Sequence, residues 1–310
     1  MIAAIVLMRS LAIISLWEFF ADLANPTLSF LPKALLIACM SAIVCGVVGA
    51  HVVLRGMAFI GDAVSHAVFP GLAIAFALQG SLLLGGAIAG VTVAVLVTLF
   101  SQNRAIKEDS LIGIFFAAAF AVGIVVIARI PGYTGSLQSF LFGSITGVPD
   151  FDVAMVAIVG VLIIVCLVIF HRQLVTVSLD RESARAQHLP VVWLDLFLYL
   201  AVTAAVVISV KTIGNILVLA LLITPAATAR LLTNRLTTMM ILGPVIGAIS
   251  AFFGIYGSWA LAIPTGASIV LVCSALFIVT WFARLHPVRL AVSYIRGRGA
   301  GTYTHQVQSA

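Results

Sequence analysis

The sequence predicts an all-α polytopic membrane protein, and three observations predict it. The chain is 63% hydrophobic and 8% charged, with a mean hydropathy of +1.26, whereas soluble domains average about a quarter charged residues. Its apolar runs are about 20 residues long, the length of one membrane crossing. Those runs are rich in Leu, Val, Ala and Ile without alternation, so backbone groups that meet no water must pair within helices rather than in a barrel. At 310 residues, eight to ten spans leave only short loops. Residues 1–310 therefore form one transmembrane domain.

Residues 1–20 are apolar except for Arg9 and Glu18. WEFFADLANP follows in place of a small-residue cleavage signature, so the segment reads as a retained first span or an interfacial helix. Pro26 and Pro32 bracket a short loop that closes this uncertain region, residues 1–32. Apolar runs follow at 33–54, 60–79, 82–100, 111–129, 152–170, 192–210, 213–232, 238–257 and 264–283. The core, 33–284, thus holds nine spans, and about ten are expected with the first.

Basic residues set the orientation. One set of connections holds Arg55, Arg104, Lys107, Arg172, Arg181, Arg185, Arg230, Arg235, Arg284, Arg289, Arg296 and Arg298; the other holds Lys33, Arg129 and Lys211. The positive-inside rule makes the first set cytoplasmic, with the C-terminus inside and, for ten spans, the N-terminus inside too.

Two connections exceed a turn. The outer one, IPGYTGSLQSFLFGSITGVPDFD, reads as a re-entrant helix lining a vestibule or as a packed loop. The inner one, residues 171–190, carries Ser178, Asp180 and Glu182 as capping and acidic residues, with Arg185 toward the other end and Pro190 as a stop. A short amphipathic helix on the cytoplasmic surface is expected there. The polar tail, residues 285–310, reads as disordered and carries no site.

The stretch LRGMAFIGDAVSHAVFPGLAIA, residues 54–75, puts Asp62 and His66 into an otherwise apolar helix. Four residues apart, both side chains fall on one face, about 6 Å from each other. An ionisable pair at membrane depth is costly unless it serves a cavity or a partner. If Arg55 marks the inner interface, the pair lies about 10–16 Å inward from it. Carboxylate with imidazole suits Mn, Fe or Zn. Two ligands do not complete a site, and His51 and Asn215 are further candidates.

A second unusual stretch, KTIGNILVLALLITPAATARLL, opens with Gly214 and Asn215 and meets Pro225 in mid-span. It reads either as a kinked packing helix or as a helix whose freed polar atoms line a pathway. Gly85 and Gly86 signal close helix packing. Cys39, Cys45, Cys166 and Cys273 lie singly in apolar runs, which suits small buried residues rather than a disulfide or thiolate site. The net charge of +6 includes no basic cluster interleaved with aromatics, so nucleic acid is not a partner. The chain has no P-loop, HExxH, Gly-x-Ser-x-Gly or dinucleotide fingerprint. It is not expected to be an enzyme, and a nucleotide-driven process would need an ATPase on another polypeptide.

LRGMAFIGDAVSHAVFPGLAIAF resembles the signature of the permeases of ABC importers for manganese, zinc and iron, the ABC-3 family. TIGNILVLALLITPAATARLL resembles that family's second signature, and SLDRESARAQHLP resembles its coupling segment. These motifs occur in the expected order across residues 33–284. The resemblance implies a ten-helix type II importer architecture in a bacterial plasma membrane and a permease dimer, a homodimer foremost, surrounded by lipid. It also implies a cytoplasmic ATPase dimer and an extracytoplasmic metal-binding protein. Asp62 and His66 carry over as the metal-coordinating pair, and Asp180, Glu182 and Arg185 fall in the ATPase-docking part. No bound cofactor is implied; a divalent transition metal is the cargo.

One departure concerns Ala262 in LAIPTGAS, where many relatives have an acidic residue. It puts the full ligand set and the choice of metal in question. Two alternatives remain at this level: a proton-coupled secondary transporter using Asp62, and a type II importer of a metal chelate. An intramembrane hydrolase lacks a nucleophile.

Overall fold

The computed structural model describes residues 15–57, 60–102, 108–129 and 149–303, and all of their regular structure is helical. The expected outer connection at 130–148, and residues 1–14, lie outside the described residues. The helices are α1 (Leu16–Leu23), a 3-10 turn at Pro26–Leu28, α2 (Phe30–Arg55), α3 (Ile60–Ala67), α4 (Phe69–Ala77), α5 (Leu82–Phe100) and α6 (Glu108–Ala128). After them come α7 (Asp150–Ile169), α8 (His171–Leu179), α9 (Arg181–Ala186), α10 (Val191–Ile213), α11 (Asn215–Leu232), α12 (Leu236–Leu261) and α13 (Thr265–Tyr303). Among the described residues seven helices are long and apolar enough to cross a membrane, and Ala63–Ala77 and Ile216–Leu232 are shorter apolar segments. These nine coincide with the nine apolar runs of the sequence.

Three expectations change in detail. The run at 60–79 is not one helix but two, α3 and α4, parted at Val68. Pro70 has no N–H, so the carbonyl of His66 loses its helical donor there. At the other end of the chain, α13 runs on to Tyr303, so helix occupies most of the tail expected to be disordered. Nor does a single helix cover residues 1–20 through their C-terminal part. Ser15 is extended and caps α1, its hydroxyl accepting from the Glu18 amide while Glu18 returns to the Ser15 amide. This reciprocal cap starts a new helix at Leu16. Phe19 is buried from α1 while Trp17 is 82% exposed, the habit of a helix lying along a surface. Asp22 fastens it by accepting from Trp259 Nε1 of α12 at 2.9 Å.

The core is built around α2. Of its most apolar window 72% is buried, against 17% for α6 and for α13. It packs on α7, α10, α11 and α12, while α3 and α4 pack on α6, and α5 bridges α4 to α10. Small residues permit this crowding. A β-carbon on Gly49 would stand 1.8 Å from the Leu222 carbonyl oxygen of α11, so only glycine allows the two backbones to touch. The same Leu222 meets Gly61 of α3, where a β-carbon would lie 2.6 Å from its Cδ2. One leucine therefore brings α2, α3 and α11 to a common level.

Between α2 and α3 the chain reverses through a helix stop. Gly56 adopts φ 72°, and the amides of Gly56 and Met57 return to the carbonyls of Val53 and Val52, both at 3.2 Å. This is a Schellman motif, which needs a left-handed residue that glycine supplies without strain. Met57 is then buried, and the Ile60 amide bonds its carbonyl at 3.3 Å. The start of α3 is tied to the end of α2.

Candidate functional site

Depth along the bundle follows from the contact at Leu222. Counting 1.5 Å per residue, Asp62 begins about 1.5 Å, and His66 about 7.5 Å, outward from the level of Gly61, where outward means away from Arg55. Asn215 starts α11 about 10 Å outward from Leu222, close to the level of His66. His51, two residues past Gly49, falls about 3 Å to the other side. By this count the backbones of Asp62, His66 and Asn215 span about 9 Å, and His51 lies about 4.5 Å from the level of Asp62 and about 10 Å from that of His66, on the Arg55 side. The side chains of Asp62 and Asn215 lie outside the described residues.

His66 is half-buried. Its ring packs against a pair of stacked rings of α6, with centroids 5.2 Å from both Phe116 and Phe120. This apolar pair orients the imidazole. Beside it, Ser65 is buried and spends its hydroxyl on the Gly61 carbonyl at 2.7 Å. Among the described residues no group of three or more His, Cys, Asp or Glu side chains converges as a metal site.

His51 has another neighbour. It is fully buried, its Nδ1 lies 3.4 Å from the Val47 carbonyl, and its ring centroid is 5.8 Å from that of His171 at the start of α8. The structure therefore pairs His51 with the segment at 171–190. One turn further along α2, Arg55 faces the same segment.

That segment is two helices rather than one. Asp180 separates them in an extended conformation and caps α9, its Oδ1 accepting from the amides of Glu182 at 2.9 Å and Ser183 at 3.2 Å. The Ser183 hydroxyl also donates to Asp180 Oδ2. These bonds, led by that hydroxyl, hold the exposed Asp180 carboxyl below its ordinary range. Ser178, expected to share in the capping, instead donates to the Leu174 carbonyl at 2.5 Å and accepts from Arg55 Nε at 3.0 Å. At the far end His188 takes φ 57°, and the amides of His188 and Leu189 return to Arg185 and Ala184 at 2.9 and 3.0 Å. This Schellman stop uses histidine where glycine is usual. Glu182 and Arg185 are exposed while Ala184 is buried, so α9 presents both charges outward and seats on Ala184.

One residue of this region escaped the sequence reading. Asp195 of α10 is fully buried and accepts from Arg55 Nη1 at 2.7 Å and from Arg181 Nη2 at 2.6 Å. Its signal was a lone carboxylate inside the apolar run VVWLDLFLYL. Ala262 also finds its place: it caps α12 at φ 51°, exposed, in the turn to α13. Pro244 of the same helix lies against Gly46, and Ala262 is about 27 Å along the axis from it. A carboxylate there would stand at the mouth of the bundle, far from Asp62.

The chain matches the model of the ABC 3 transport family over residues 27–284. It is 43% identical over 254 residues to the manganese transport system membrane protein MntC of Halalkalibacterium halodurans, an alignment that takes in 82% of this chain and 87% of that protein. To the chelated iron transport system membrane protein YfeC of Yersinia pestis it is 34% identical over 254 residues, 82% of this chain and 86% of the other. Among solved structures, a chain of PsaBC from Streptococcus pneumoniae in complex with Fab superposes with a TM-score of 0.76 at 35% identity, over 86% of this chain and 95% of that one.

Proposed function

This chain belongs to the ABC 3 transport family, and from that premise we propose that it passes a divalent transition metal, manganese or iron, inward across a bacterial plasma membrane. It is the membrane permease of an ABC transporter and not the ATPase. In this reading an extracytoplasmic binding protein delivers the ion to a permease dimer. Asp62 and His66 then replace part of its hydration shell in the zone they share with Asn215. A cytoplasmic ATPase dimer grips α9 at Asp180, Glu182 and Arg185, and its closure switches access to the inner side. The C-terminus is cytoplasmic, following the basic residues.

The observation that carries the reading is the level set by Leu222, which supports a carboxylate and an imidazole well inside the bundle rather than at its rim. Phe116 and Phe120 hold the imidazole for that task, and ligation needs it neutral and Asp62 ionised. Membership of an ABC family leaves the proton-driven alternative without a premise. The similarity to the chelated iron transport protein YfeC keeps a chelate as the second cargo. Reconstitution of the permease with its ATPase in proteoliposomes tests both, by uptake of radioactive manganese with ATP inside or outside and by competition with free and chelated iron. Uptake that ignores ATP and follows a proton gradient would overturn the proposal.

A further inference from the structure

The ion network at the Arg55 end joins three helices through one carboxylate. Arg55 ends α2, Arg181 begins α9, and both guanidiniums donate to Asp195 of α10, one to each oxygen. The two halves differ in burial. Asp195 and Arg55 have side-chain exposures of 0% and 4%, whereas Arg181 is 31% exposed. Breaking the Arg55 half would strand the buried Arg55 guanidinium, which is strongly unfavourable. Breaking the Arg181 half leaves Asp195 still paired and lets Arg181 pass into water. Arg55, Ser178, Asp180 and Arg181 also border a cavity of about 410 Å³, which gives the Arg181 side chain room to move.

From Arg55 the path to the transport zone is short. The Schellman stop at Gly56, the buried Met57 and its bond to the Ile60 amide carry straight into the helix of Asp62 and His66. Ser178 adds a second tie from α8 to Arg55. We propose that Asp195 is a positioning residue that locks α9 to the α2–α3 turn, with Arg55 as its permanent partner and Arg181 as the partner released when α9 is displaced. The lock makes the position of α9 and that of the Asp62–His66 helix depend on each other. This rests on the transport reading, in which the ATPase moves α9.

The test uses the full complex and two variants, Arg181→Gln and Arg181→Lys. Amide exchange is followed in residues 60–67 and 180–186 with and without a non-hydrolysable ATP analogue, beside the thermal midpoint and the metal taken up per ATP hydrolysed. In the wild type, nucleotide should change exchange in both segments. In Arg181→Gln the change at 60–67 should shrink at least about fivefold while that at 180–186 persists, and metal per ATP should fall by a similar factor. Arg181→Lys keeps the charge without the paired geometry and should fall between, and it serves alone if the Gln variant fails to assemble. A variant whose midpoint drops while 60–67 still responds and metal per ATP holds would overturn the lock alone. A wild type that neither imports metal nor responds to nucleotide would overturn both the lock and the transport reading.

Discussion

Gly49 of α2 lies directly beneath the carbonyl of Leu222 in α11, so near that a β-carbon would come within 1.8 Å of the oxygen. The obstructing atom is backbone and cannot rotate away. Gly49→Ala should therefore push the two helices apart and destabilise the fold by about 1–3 kcal/mol or more, as overpacking does. Gly113 in α6 has nothing within 4 Å of its would-be β-carbon, and Gly113→Ala should be neutral or stabilise by up to about 1 kcal/mol through helix propensity. Thermal unfolding of the two purified variants in detergent compares them. Equal midpoints would show that Gly49 does not set the contact.

Since Leu222 also positions α3, the transport zone depends on the side chains that α3 carries. Asp62→Ala and His66→Ala should each reduce ATP-dependent manganese uptake by at least about tenfold while leaving insertion and the thermal midpoint close to wild type. His51→Ala, whose ring faces His171, should leave metal binding in this zone intact. Uptake in proteoliposomes and equilibrium binding of radioactive manganese separate the cases. Normal uptake by both Asp62→Ala and His66→Ala would remove the site.

The cap of α9 should respond to acid. Hydrogen bonds from Ser183 and Glu182 lower the Asp180 pKa in the folded protein, so ionised Asp180 supports the first turn at pH values above the unfolded value, about 3.9. That support is lost as pH falls through the depressed folded value. Protection of the Glu182 and Ser183 amides, corrected for intrinsic exchange, should decline on acidification. In Asp180→Asn, which caps without a titrating group, it should stay level. A flat wild-type profile would refute the assignment.

His188 closes α9 in the left-handed region, where a β-carbon costs roughly 1–2 kcal/mol. His188→Gly should relieve part of this, stabilising the α9 stop by up to about 1 kcal/mol net of the extra freedom of an unfolded glycine. Slower exchange at the Leu189 amide, which bonds Ala184 at 3.0 Å, would report it. A faster exchange would mean that the histidine ring itself holds the turn.

The sequence by itself determined the helical membrane class, nine of the spans and the placement of Asp62 and His66 on one apolar helix. These depend on local properties: run length, charge density and four-residue spacing. It also placed a helix N-terminus at Ser178, Asp180 and Glu182, although not that Asp180 would be the cap while Ser178 turns to Arg55.

Tertiary structure alone decided which polar residues meet. His51 lies four residues from Arg55, and its partner His171 is 120 residues away; nothing local favours His171 over His66. Asp195 escaped the sequence reading, and its two arginines, at positions 55 and 181, come from different helices. Ala262 read as a gap in the metal site until the length of α12 put it at the bundle's mouth. The physical reason is common to all of these. Spacing along a helix sets the face and level of a side chain, but the level of one helix against another is set by backbone contacts such as Gly49 on Leu222, which no single stretch of sequence contains.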